Sequence, residues 1–245
     1  MSSLKPTVFA VVILVVLFCA ASVQTQADTL NITGSLSVST TGVDFLPAGT
    51  GVGTFNVDQF TQTGIFVPVA GTTGTAIDLN FMAAPINQTF LLSNFLTFAA
   101  NPNLRFNLTF INLGVSGLAG CAAPPAVGQS CTPAFPSLVT PANPLGLTPF
   151  NFTNVPVGSS TLSFAVAGNV NNNGVITPFT GTFSTQFSTV YQQVLATIST
   201  GGSVSSTYSA TFQTPGSEVS VPEPATLLLF SIGLGGTLVC RRGKA

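Results

Sequence analysis

The chain has no histidine and no tryptophan, and only 4% of its 245 residues are charged. Without histidine, the usual base for a serine or cysteine nucleophile is missing, and so is the commonest metal ligand. Lysine does not replace it, because Lys5 and Lys244 are the only two and both lie in terminal segments. Between Asp28 and Val221 there are five acids (Asp28, Asp44, Asp58, Asp78, Glu218) and one base (Arg105), a net charge of −4. The basic footprint that nucleic acid requires is therefore absent, and no nucleic-acid partner is expected. A fixed-period internal repeat is also absent, which argues against a solenoid.

What the chain does contain is phenylalanine, 21 residues of it, with abundant Ser, Thr, Asn and Gln. Low charge leads to disorder only when hydrophobicity is low too. Here the apolar content supports a packed core, and solubility rests on neutral polar groups.

The two ends differ from the body. Residues 1–27 read as a secretory signal peptide: Lys5 supplies a positive start, 8–21 form an apolar run, and Thr25-Gln26-Ala27 places small residues where signal peptidase cuts. Asp28 then begins the mature protein. An uncleaved N-terminal anchor is the alternative. Cys19 belongs to the apolar run and leaves with it; Phe18 before it is too bulky for lipoprotein processing.

Residues 221–245 contain Val221-Pro222-Glu223-Pro224, an uncharged run over 225–240 with Gly233, Gly235 and Gly236, and then Arg241-Arg242 and Lys244. As a helix the run spans about 24 Å, short of the ~30 Å hydrocarbon core of a bilayer. Basic residues stay on the cytoplasmic side, so the body lies outside. The two prolines disfavour helix and leave Glu223 extended and accessible. This order and terminal position resemble the PEP-CTERM sorting tail of exported bacterial proteins. The resemblance implies recognition by an exosortase-type membrane protease, cutting at or near the PEP site, and transient anchoring in the inner membrane by a short C-terminal hydrophobic helix. It also implies a Gram-negative-type host that produces exopolysaccharide. A plain C-terminal anchor that is never cut is the alternative. Tails of this kind also carry the label "ice-binding protein C-terminal domain", but ice binding needs a flat, regular threonine array. Thr61-Gln62-Thr63 and 182–185 are fragments that do not recur at a fixed period.

Between the ends, residues 28–220 have the length of one exported domain. Apolar residues alternate over 105–110 (Phe106, Leu108, Phe110 on one side), 161–166 and 207–212. Weaker strand candidates are 35–39, 53–57, 64–69, 76–81, 89–98 and 180–187. Asn173-Gly174 between two apolar runs signals a hairpin. Tyr191, Val194, Leu195 and Ile198 have helical spacing, with a strand over 194–199 as the alternative. Many short strands with polar turns predict an all-β, antiparallel β-sandwich. Residues 119–150, rich in proline, read as a loop excursion.

Cys121 and Cys131 are the cysteines that remain after processing. An oxidising compartment favours a disulfide between them, and closing so small a loop stabilises by roughly 2–3 kcal/mol on the chain-entropy model. The spacing lacks a CxxC and no histidine completes a metal or redox site. Asp44, Asp58 and Asp78 offer calcium ligands, or a carboxylate pair, but they fit strand ends and turns better. With no tryptophan and two tyrosines, Tyr191 and Tyr208, the aromatic platform of many sugar sites is missing. Sequons at Asn31, Asn87, Asn107 and Asn151 echo the Asn/Thr richness. The expectation is a non-catalytic surface or matrix protein, structural or adhesive and associated with exopolysaccharide, without metal or cofactor. The second expectation is a glycan- or calcium-binding surface module.

Overall fold

The computed structural model describes residues 27–215, so the expected signal peptide and signal helix, the sorting tail and its hydrophobic helix all lie outside the described residues. Twelve strands form one sheet: β1 (Asp28–Val38), β2 (Gly42–Phe45), β3 (Val52–Val57), β4 (Thr73–Ile77), β5 (Leu79–Asn80), β6 (Leu92–Phe98), β7 (Leu104–Ile111), β8 (Ser130–Cys131), β9 (Asn151–Val155), β10 (Ser159–Asn172), β11 (Val175–Phe187) and β12 (Val204–Thr214). Eight of them pair in the ring β11–β12–β1–β3–β4–β6–β7–β10, and β10 pairs back onto β11. All pairings are antiparallel. The protein is all-β, as the alternation implies, but the sheet closes into a barrel where two facing sheets are expected of a sandwich. Period-two alternation says that one face is buried; it is the same for both architectures. Closure depends on the long β10–β11 hairpin, whose turn residues Asn173 and Gly174 take φ of 53° and 88°.

Fourteen phenylalanines are buried, and their rings fill the interior. Phe183 packs on Phe164 (4.7 Å, stacked), Phe212 and Phe45, while Phe106 meets Phe179, Phe212 and Phe66. Four large rings lie opposite a glycine on the neighbouring strand: Phe55 opposite Gly74, Phe179 opposite Gly168, Phe212 opposite Gly181 and Tyr208 opposite Gly34. A Cβ at Gly34 would stand 2.8 Å from the Tyr208 ring, and one at Gly168 would stand 2.7 Å from that of Phe179. Strand glycine here marks close approach, so that a narrow barrel holds wide side chains.

Two local expectations are corrected. Residues 64–69 form a 3-10 helix, Gly64–Val69, not a strand. Gly64 has φ 57° and Pro68 has no N–H to give a ladder, so Phe66 and Val69 turn inward and cover one barrel end. Phe110 does not share a side with Phe106 and Leu108. Gly168 pairs with Leu108 while Ala167 pairs with Phe110, so Thr109 is an extra residue, and the bulge buries Ile111 in place of Phe110. The helix alternative holds over Tyr191–Ser199 (α1), which buries Tyr191, Val194 and Ile198.

Candidate functional site

Because the apolar residues of each ring strand point inward, the intervening Ser, Thr, Asn and Gln side chains form the outer wall. The registers place Ser163, Ser184, Ser209, Thr33, Asn56 and Thr73 opposite one another on six consecutive strands, β10, β11, β12, β1, β3 and β4. At about 4.8 Å per strand this row is some 24 Å long. It runs through an open depression of about 580 Å³ whose lining, including Ser35, Gln186 and Thr207, contains no charged side chain. Beside it, Thr211 Oγ1 donates to Asn31 Oδ1 (2.6 Å) and Asn31 Nδ2 donates to Thr61 Oγ1 (2.9 Å). Hydroxyl and amide groups both donate and accept, so this row offers many neutral hydrogen bonds and no charge.

The three aspartates offered as calcium ligands do not meet at one point: Asp44 lies near enough to Asp78 for its charge to act there, but Asp58 is elsewhere. Asp58 follows β3, and its Oδ1 accepts from the N–H groups of Phe60 (2.8 Å) and Thr61 (2.9 Å) and from the Thr61 hydroxyl (2.9 Å). The Phe60 N–H, with the Thr61 groups behind it, holds this carboxyl below the usual carboxylate range. Asp78 lies towards the other end, where its Oδ1 accepts from Phe45 N–H at 2.8 Å. Burial pushes the Asp78 carboxyl up, the charge of Asp44 adds to this, and the Phe45 hydrogen bond opposes it. Among the described residues there is no group of three or more His, Cys, Asp or Glu placed to hold a metal. Burial also pushes both tyrosine hydroxyls up, and Tyr208 is buried within the wall of rings.

Cys121 and Cys131 are joined by a disulfide, with their Cα atoms 5.0 Å apart. Cys131 is buried, and the bridge closes a loop within the 112–150 excursion, which hydrogen bonds join to α1. There the Tyr191 hydroxyl donates to the Gly120 carbonyl (2.7 Å), and Gln192 Nε2 donates to Gln129 Oε1 (2.8 Å) and to the Ala123 carbonyl (3.2 Å). Sequence reasoning gave Asn151 only as a sequon and did not single out Asn143, and it missed the backbone bonding of both. Asn151 Oδ1 accepts from the N–H groups of Val115 (2.6 Å) and Ser116 and from the hydroxyls of Ser116 and Thr132. Asn143, 2% exposed, donates to the carbonyls of Leu138 and Leu147 and accepts from Leu147 N–H. For Asn143 the sequence signal is asparagine in proline-rich loop, where backbone groups need side-chain partners; Asn151 opens β9 and faces that loop.

Of the residues singled out by sequence, Val221, Pro222, Glu223, Pro224, Arg241 and Arg242 lie beyond the described barrel, and the family comparison covers them. Residues 220–243 match the model of the PEP-CTERM protein-sorting motif. The tail is a PEP-CTERM sorting motif. No curated protein and no solved structure matches the chain. The PEP-CTERM motif marks the protein for export to the cell surface and for processing by an exosortase-type membrane protease. Among the described residues no helix is long and apolar enough to cross a membrane.

Proposed function

We propose that the exported barrel is a non-catalytic surface or matrix component that associates with exopolysaccharide through its neutral outer wall. The observation that carries this reading is the uncharged row from Ser163 to Thr73 across six strands. A polymer of sugar hydroxyls presents donors and acceptors at similar density, and a wall without charge loses little on desolvation when it meets a neutral chain. Many weak, exchangeable hydrogen bonds along some 24 Å suit adhesion to a polymer better than capture of one small ligand. Cleavage at the PEP site releases the barrel from the membrane into that matrix.

The test is co-sedimentation of the protein with exopolysaccharide purified from its own host, with intact-mass analysis of the protein from each cell fraction. Wild-type protein pellets with the polymer, and the double variant Thr33→Asp, Ser209→Asp, which sets two charges in the row, loses about tenfold in retention. Equal retention of the two proteins, or none, sinks the wall as the contact. The mass is expected to lack both 1–27 and the residues after the PEP motif. A membrane-bound mass that retains 225–245 overturns the processing step.

A further inference from the structure

The registers place both chain exits at one end of the barrel. Asp28 opens β1 opposite Thr214, which closes β12. The Asn173-Gly174 turn lies at this same end, because β11 reaches Gln213 only at Thr180. The 58–72 connection is there too: Asp58 N–H donates to the Asn31 carbonyl and Thr63 N–H to the Thr29 carbonyl. So is the start of β7, where Leu104 pairs with Asn172. The tips of these loops carry apolar side chains turned to solvent: Phe60 (88% exposed), Ile176 (68%), Val175 (66%) and Val67 (56%). Arg105, the only base in residues 27–215, stands at this end beside Pro102, whose carbonyl accepts from its Nε.

Pro215 ends the described barrel, and the apolar run of the PEP-CTERM motif begins at Ala225. Ten residue steps reach at most about 35 Å when fully extended. While the tail is anchored, the exit end of the barrel is therefore held within about 35 Å of the membrane. The end from which the tether leaves is the end that a short tether holds nearest the lipid. We propose that this exit end docks on the lipid surface before cleavage, with Phe60, Val67, Val175 and Ile176 seated among the headgroups. Exposed apolar side chains on loop tips gain by entering the headgroup region, and Arg105 adds an attraction to anionic lipid. Val157, 99% exposed in the turn between β9 and β10, is as apolar but lies at the opposite end, where no chain exit brings it to lipid. The proposal rests on anchoring by the tail before cleavage.

The absence of tryptophan makes the test direct, since a single introduced Trp is the only indole in the protein. The full chain is inserted into vesicles of phosphatidylethanolamine and phosphatidylglycerol with brominated acyl chains, in four variants: Phe60→Trp, Ile176→Trp, Val157→Trp and Phe230→Trp. At headgroup depth, Phe60→Trp and Ile176→Trp are expected to lose about half their emission, and Val157→Trp none. If Phe230→Trp is quenched while both exit-end probes stay as bright as Val157→Trp, the tail anchors and the docking proposal fails alone. If neither Phe230→Trp nor the exit-end probes are quenched, anchoring fails and docking falls with it. Equal quenching of Val157→Trp overturns the assignment of this end. So does shielding of the exit-end probes that depends on protein concentration and not on bromine, which would show a second copy as the occupant.

Discussion

A single hydrogen atom in place of a side chain decides how tightly the interior packs. At Gly34 the three nearest atoms to an added Cβ all belong to the Tyr208 side chain, at 2.8–3.0 Å. Gly34→Ala is therefore expected to cost about 1–3 kcal/mol, the usual range for overpacking a filled core. Urea denaturation measures it. Because one ring accounts for the clash, adding Tyr208→Val to Gly34→Ala should cost less than the two single changes summed, and strict additivity would show that the ring is not the cause. The two aspartates with shifted carboxyls act in opposite senses. The Asp58 carboxyl is depressed, so its contribution is present above the ordinary carboxylate range and is lost as pH falls through its folded value. The Asp78 carboxyl is raised, so the folded state holds that proton longer and stability falls as pH climbs from about 4 through the folded value. Asp78→Asn keeps an acceptor for Phe45 N–H and removes the charge. The variant should melt up to about 2 °C higher at pH 7, with the gain gone below pH of about 3.5. A loss at pH 7 would mean that the carboxylate charge itself is needed there.

At the scale of elements, the disulfide, α1 and the excursion form one unit hung on the barrel. The Tyr191 and Gln192 hydrogen bonds reach only the 120–129 part of the excursion, and Cys131 anchors its return on β9. Reduction of Cys121–Cys131 removes a closed loop worth roughly 2–3 kcal/mol in chain entropy. Hydrogen exchange after reduction should quicken first over 112–150 and leave the β1–β12 and β10–β11 ladders protected. Simultaneous loss in all three would place the excursion within the barrel's cooperative unit. What was legible in the sequence follows the same division. The strands around Phe106, Leu162 and Tyr208 were legible because each alternates cleanly, and Asn173-Gly174 because only a tight hairpin turn asks for that pair. The helix at Tyr191 was legible from its spacing but not separable from a strand by nine residues of pattern. The 3-10 cover at Phe66 was not, because four apolar residues in six resemble a buried strand. Closure of the ring was not legible either. It depends on which strands pair across long separations, such as β10 with β7 and β1 with β12, and on glycines opposite rings, and neither leaves a local mark. Of the site, the sorting motif stood out because its signal is contiguous. The outer row did not, because its six members come from six strands and meet only through register.

For the molecule as a whole, the scarcity of charge has a measurable consequence. Solubility without charge repulsion calls for other protection against sheet-to-sheet association, and ring closure supplies part of it by leaving eight strands without free edges. Outward Ser, Thr, Asn and Gln supply the rest, since a partner strand or sheet must displace their water. The one base among the described residues, Arg105, donates its Nε to the Pro102 carbonyl, and the Asp44 charge acts on Asp78 by repulsion. Screening therefore has almost nothing to act on. The melting temperature of the mature protein should move by less than about 2 °C between 0.01 and 0.3 M sodium chloride, a range over which the Debye length falls from about 30 Å to under 10 Å. Millimolar calcium at constant ionic strength should leave it where it is. A calcium-dependent rise would instead point to a site drawing on Asp44 and Asp78 together, since these two carboxylates are close enough to feel each other. The wall would then no longer be the only candidate contact, and the calcium-binding module would become the better account of the barrel.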